Sequence, residues 1–337
     1  MEFDFKARFT KSKLKEFADV IIGLSNLTRH KVSSRGWGYL MEQAGYINKS
    51  ELDKVEEAIN RCRREGLLPV DFVAEETARS FSGVDEADER SIESIVKWML
   101  EDVLTGHRYY KPDWWEGEDY YIQMVVEKVD LLNLFYPVCR EFHIPIANAK
   151  GWSSILQRAE YARRFKEAED MGLQCVLLYC GDFDPDGERI SDSIRKNLEQ
   201  IADVTWRDGT RGYDPANLII DRFGLNYDYI IKKNYTWIDN LMTGRGKDLN
   251  DPKHPNFKLP YVQAYLKKVG PRKCESNVIV TTPDDAEALC LAAINKYVGQ
   301  PTLDRFALKV EAAKDEYIEF IEDREIDTKI NDIINDL

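Results

Sequence analysis

No apolar run in this chain reaches the ~20 residues that a membrane-spanning helix needs, so no helical membrane anchor is expected. The opening stretch, MEFDFKARFT, is charged and lacks the apolar core of a secretory signal, which points to a cytoplasmic protein. Histidine is scarce: four residues, none paired as H-x₃-H, so a zinc hydrolase is not expected. The six cysteines (62, 139, 175, 180, 274, 290) contain no C-x-x-C pair and are read as free thiols of a reducing compartment. A phosphate-cradling G-x-x-x-x-G-K-[ST] loop is missing, since TGRGKD at 243–248 does not fit it; ATP hydrolysis by this chain is therefore not expected. No G-x-S-x-G elbow, internal repeat or low-complexity tract is present. Nor is there an excess of positive charge: the formal net charge is −13, which argues against a nonspecific nucleic-acid binder.

The sign is uneven, however. Residues 1–50 carry nine Lys or Arg against five Asp or Glu, and residues 71–120 carry fourteen acids against five bases. With 337 residues and 43% hydrophobic content, the chain has material for two globular domains. KSKLKEFADVIIGLSNLT (11–28) reads as an amphipathic helix and the turn after it. VSSRGWGYLMEQAG (32–45) reads as a short helix that Ser33 or Ser34 can cap and Gly45 can end. NKSELDKVEEAINRCRREG (48–66) carries the apolar stripe Leu52, Val55, Ile59, Cys62, with Gly66 at its end. LLPVDFVA then reads as an extended segment. Three helices followed by a strand-like piece fit a helix-turn-helix or winged-helix domain set against DNA, or a plain helical packing domain. The aperiodic TGHRYYKPDWWEGED (105–119) holds the boundary. The expected division is 1–110 as the N-terminal domain, 111–119 as linker, 120–305 as a second domain and 306–337 as a charged C-terminal helix or tail.

Past the boundary, strand and helix patterns alternate: YYIQMVVEK, VDLLNLFYPVCREF, IPIANAK, SSILQRAEYARRFKEAEDMG, QCVLLYCGDFD, ERISDSIRKNLEQIAD, NLIIDRF. SNVIVTT (276–282) reads as a further strand, and PDDAEALCLAAINKYV as a helix with Pro283 near its first position. The fold class is therefore α/β: a mostly helical N-terminal domain, then a parallel sheet covered on both faces. Such sheets bind ligands beyond the carboxyl ends of their strands. Asp182 and Asp184 leave one apolar strand there at period-two spacing, and Glu127 closes another at the equivalent end. Converging carboxylates repel unless a cation lies between them, and hard oxygen ligands suit Mg²⁺, or Mn²⁺. The implied chemistry is phosphoryl transfer on a phosphodiester. An EF-hand does not fit GDFDPDG, because position 12 is Ser193 and a strand precedes the loop. Asp186 reads better as the cap of the next helix, with Gly187 making a tight bend. Glu127 taken alone reads equally well as a solvated strand end.

VVEK, ANAKGWSS, GDFDPDG, LNDPKHPNF and VGPRKCESNVIV together resemble the Toprim domain, over roughly residues 120–300. The likeness is to the A subunit of topoisomerase VI and its relative, the meiotic double-strand-break transesterase. The resemblance implies a Toprim-type Rossmann-like sheet with Glu127, Asp182 and Asp184 as metal ligands, and with Lys128, Asp186 and Glu275 at further family positions. The N-terminal half is similar to the family's winged-helix domain, whose nucleophilic tyrosine stands in an R-x-x-x-Y context; SSRGWGY supplies Arg35 and Tyr39. At i, i+4 on one helix the cation can stand beside the phenol and favour phenolate. An aromatic beside Trp37 is more often core. The family's aromatic before the tyrosine is Gly38 here, and Asp186 replaces another family aromatic. The implied protein is a Mg²⁺-dependent enzyme that cuts double-stranded DNA through a tyrosyl intermediate, as a homodimer in which one winged helix serves the partner's metal site. A separate ATPase subunit would be needed for strand passage. Two alternatives stay open: a hydrolytic Toprim nuclease of mobile-element or defence type that does not use Tyr39, and an inactive DNA-binding subunit. The N-terminal region and the bases of 232–273 would carry the DNA contacts.

Overall fold

The computed structural model describes residues 10–26, 28, 31–74, 89–149, 154–242 and 246–337. Residues 150–153 of ANAKGWSS and 243–245 of TGRGKD lie outside the described residues. Two compact units result, each built from two stretches of chain: residues of 1–76 with 119–297, and residues of 77–118 with 298–337. The N-terminal helices thus join the sheet in one unit, where the sequence pattern had set them apart as a domain of their own.

In the larger unit, α1 (Lys11–Ser25), α2 (Ser34–Gln43) and α3 (Leu52–Arg64) form a helical cluster. Leu14, Phe17 and Ile21 of α1 and Val55, Ile59 and Cys62 of α3 are fully buried, as the periodicity of each stretch requires. Ser33 caps α2 by accepting the Gly36 N–H at 3.1 Å, and Gly45 (φ 75°) follows its end in the left-handed region. The expected extended segment after α3 is instead a run of turns, so the winged-helix strand is not formed there. Pro69 and the Trp37–Phe72 stack (centroids 5.1 Å apart) hold that stretch as a turn that closes over α2.

β1 (Tyr120–Val126), α5 (Val129–Glu141), β2 (Ile146–Asn148), α6 (Ile155–Asp170), β3 (Gln174–Gly181), α7 (Ile190–Glu199) and β4 (Ile219–Gly224) alternate as read. All four strands are parallel, in the order β2-β1-β3-β4. Right-handed crossovers therefore place α5 on one face and α6 and α7 on the other. β3 is buried along nearly its whole length, as a central parallel strand must be. α8 (Tyr227–Lys233) and α9 (Pro260–Val269) interrupt the loop-rich stretch before α10 (Pro283–Ile294). Pro283 lies at the start of α10, as expected. Ser276–Thr281, expected as a strand, is a 3₁₀ turn. Its β-branched residues are buried beneath α2 and α5, where no strand offers a ladder to pair with. All six cysteines are buried, and none is in a disulfide.

The smaller unit contains α4 (Ile92–Leu104), a helix the sequence reading did not mark, with α11 (Gln300–Asp323) and α12 (Ile326–Asp336). Residues 111–118 of the expected linker contribute to this unit: Trp114 packs on Phe306 (4.7 Å between centroids), and Glu118 takes a charged bond from Arg305 Nε at 2.9 Å. Tyr317 donates to the Val103 carbonyl at 2.7 Å, tying α11 to α4.

Candidate functional site

The strand order makes the site. β1 continues to β2 on one side, while β3 lies on the other, so the β1–β3 boundary is the topological switch point where open parallel sheets leave a crevice. Glu127 follows β1 and Asp182 follows β3, and the ladder runs to their edge: the Glu127 N–H donates to the Cys180 carbonyl at 2.9 Å. Glu127, Asp182, Asp184 and Asp186 all line one cleft of about 360 Å³, along with Tyr179, Gly187, Ser193 and Tyr261. The three acids predicted as metal ligands are thus brought to one place.

Each has a distinct setting. Glu127 Oε2 accepts the Asp182 N–H at 2.7 Å. Asp182 Oδ1 accepts both the N–H and the hydroxyl of Ser276, at 2.7 and 2.8 Å, while its Oδ2 takes Lys128 Nζ at 2.9 Å. Lys128 also reaches Glu127 Oε1 at 3.4 Å. Asp184 Oδ1 accepts the Gly187 N–H at 2.6 Å. Asp186 stands at the N-cap position of the 3₁₀ turn Gly187–Arg189, as expected, but its side chain makes no capping bond there and instead accepts the Tyr261 hydroxyl at 2.9 Å, while Asp184 supplies the bond to the turn's first N–H. The period-two alternation stops at Gly181, where β3 ends, so it does not govern which way Asp186 faces. Gly187 is required because a β-carbon there would run into the Asp182 carbonyl and lie 3.1 Å from Asp184 Oδ1.

Electrostatics divide the acids. Burial works against the Asp182 carboxylate, but Lys128 and the Ser276 bonds outweigh it and hold its pKa below the usual range. Burial, then the Asp182 charge, pushes Glu127 up. Asp184 is likewise pushed up, chiefly by burial, against the Gly187 bond. Lys128 is opposed by burial but held above its ordinary value by Asp182 and Glu127. One lysine thus serves two of the three clustered acids, Asp182 closely and Glu127 at longer range.

Among the described residues, no three His, Cys, Asp or Glu side chains converge closely enough to hold a metal ion among themselves. Mg²⁺ does not ask for that: it is commonly held by one or two carboxylates, keeping waters and substrate phosphate for the rest of its shell. An all-oxygen donor set open to a cleft fits such an ion.

Arg189 and Lys196 also line the cleft, facing its acids with positive charge; Arg189 is bonded to Asp192 at 3.0 Å. They were not singled out in the sequence. The signal was there: Arg189 and Lys196 follow GDFDPDG in the next helical stretch, seven residues apart, a spacing of two helical turns. Ser276 was missed too, although it adjoins Glu275.

Tyr39 lies on α2 and is 2% exposed. Its phenol donates to Glu275 Oε2 at 2.5 Å. Arg35 stands beside it as expected, with its guanidinium 5.9 Å from the ring centroid, and is itself bonded to Asp53 (2.7 Å) and Glu56 (3.4 Å). The expected phenolate is not favoured in this state: burial and the Glu275 carboxylate raise the phenol pKa, and Arg35 only partly offsets them. Glu275 therefore serves Tyr39, while Ser276, the next residue, serves Asp182.

No family model, curated protein or solved structure matches this chain. No described helix is long and apolar enough to cross a membrane.

Proposed function

We propose that the protein is a divalent-metal-dependent enzyme that cuts double-stranded DNA, with Tyr39 attacking the phosphodiester to leave a phosphotyrosyl link. The observation that carries this reading is the set of Glu127, Asp182 and Asp184 lining one cleft at the switch point of a parallel sheet, two of them pushed up chiefly by burial. One or two of Glu127, Asp182 and Asp184 would hold Mg²⁺ or Mn²⁺, with waters and phosphate oxygens taking its remaining positions. The ion would supply Lewis-acid stabilisation of charge on the phosphoryl oxygens. Lys128 keeps Asp182 ionised, and Ser276 fixes the orientation of its carboxylate. Arg189 and Lys196 give the cleft an opposite wall that attracts phosphate. Arg35 beside Tyr39 would offset the charge that develops as the phenol gives up its proton. The winged-helix and Toprim assignments, a homodimer, and a separate ATPase subunit for strand passage belong to the same reading, which follows the family resemblance.

A second reading is favoured by one observation. Tyr39 is buried, so a hydrolytic nuclease could use the same acids and activated water, with Tyr39 as core. The test is supercoiled plasmid with Mg²⁺ or Mn²⁺, stopped in denaturant and run with and without protease. Cut DNA that enters the gel only after protease, and that Tyr39→Phe fails to make, supports the tyrosyl reading. Free ends made equally by Tyr39→Phe select hydrolysis.

A further inference from the structure

Lys128 follows Glu127 directly at the entry to α5, and its flexible stem carries Nζ to Asp182 Oδ2 at 2.9 Å and to Glu127 Oε1 at 3.4 Å. A cation of the chain itself is thus bonded to two of the three acids. Asp182 has little else to offer an ion. Its Oδ1 already accepts two donors from Ser276, the N–H at 2.7 Å and the hydroxyl at 2.8 Å. A carboxylate has about four lone-pair positions, two on each oxygen, so Oδ1 is filled and Lys128 takes one place on Oδ2. An ion on Asp182 must therefore share Oδ2 with the ammonium. Bonds from Mg²⁺ to oxygen are about 2.1 Å long, so that ion would stand within about 5 Å of Nζ as it is placed now. Two cations that close repel, and the Asp182 side chain is only 13% exposed, so water screens them poorly.

The lysine has room to withdraw. Lys128 and Glu127 line a second cavity of about 380 Å³, whose walls include Val125, Ile190 and Ile194. A lysine stem lies readily along apolar walls of this kind while its ammonium stays at the rim.

We propose that Lys128 is a resident cation that competes with the metal ion for Asp182: it holds the carboxylate in the metal-free chain, and the ion takes Oδ2 by expelling it. The proposal rests on the metal reading above, with Asp182 as a ligand, and goes beyond it by making Lys128 the rival of the ion. Lys128 then raises the ion concentration at which the site fills, and steadies the acids when no ion is there.

Metal binding in the absence of DNA tests this. Wild type, Lys128→Met and Lys128→Arg are titrated with Mn²⁺, and the free ion is read by electron paramagnetic resonance. Lys128→Met keeps the stem and loses the charge; it is expected to bind at least about tenfold more tightly than wild type. Lys128→Arg keeps the charge and should bind no more tightly than wild type. Equal or weaker binding by Lys128→Met overturns the proposal, because a lysine that supports the ion, or never meets it, gives that result. Adding Asp182→Asn to Lys128→Met should abolish the gain; a gain that survives places the ion away from Asp182 and also overturns the proposal. Failure of the metal reading looks different: no chain then binds Mn²⁺, and the proposal falls with it. Melting curves in chelator check that the variants fold. Lys128→Gln replaces Lys128→Met if the latter does not melt cooperatively, with the same expectation.

Discussion

Asp184 and Gly187 show how tightly single residues define the cleft. A β-carbon at Gly187 would collide with the Asp182 carbonyl, which is backbone and cannot rotate away. Gly187→Ala is expected to cost about 1–3 kcal/mol by overpacking and to abolish cutting, read by urea melts and plasmid assay. Asp184 makes the opposite prediction for stability. Its pKa is raised in the folded chain, so the folded state binds more protons than the unfolded one there. Stability therefore falls as pH rises from the ordinary carboxylate range through the raised value, and it stays at the lower level above that. Asp184→Asn keeps an oxygen for the Gly187 N–H. The variant is expected to be more stable than wild type at neutral pH in chelator, with that pH slope removed, while losing activity. Equal wild-type and variant stabilities across pH would contradict this electrostatic account.

At the scale of elements, α2 depends on Asp130. Asp130→Ala leaves the Ser33 N–H and hydroxyl without their acceptor in a buried setting, which costs about 1–3 kcal/mol. A double-mutant cycle with Ser33→Ala in urea melts checks it: the pair should couple, whereas additive losses would place the docking of α2 elsewhere. Much of this level was legible. The β1–α7 alternation follows from apolar runs of strand length and 3.6-residue stripes, and Glu127, Asp182 and Asp184 could be placed because parallel strand ends share an edge. What escaped was set by tertiary partners. Ser276–Thr281 has strand-like composition but no neighbouring ladder, so it coils under α2 and α5. Asp186 takes the expected N-cap position, but the side-chain bond there comes from Asp184, whose Oδ1 accepts the Gly187 N–H just past the end of β3 at Gly181. α4 lay hidden in an acidic stretch because none of its residues is buried, which removes the periodic signal of a core-facing helix. The Tyr39–Glu275 bond spans 236 residues, a distance over which no local pattern speaks.

For the molecule as a whole, charge governs behaviour. A formal net charge of −13 opposes DNA at long range, so binding must come from local bases and should weaken steeply with salt. The apo chain also holds clustered acids that a cation relieves, so Mg²⁺ or Mn²⁺ should raise the melting temperature of wild type. Glu127→Gln should reduce that rise, and an equal rise in both would move the ion elsewhere.

The central claim is that Glu127, Asp182 and Asp184 form one metal-dependent phosphodiester-cutting site. Its most direct test is plasmid cleavage across a Mg²⁺ titration, by wild type and by Asp182→Ala, with chelator as the zero point. The account predicts cutting by wild type that rises with Mg²⁺, none in chelator and none by the variant at any concentration. Cutting by Asp182→Ala at the wild-type rate, or cutting by wild type that persists in chelator, would contradict it.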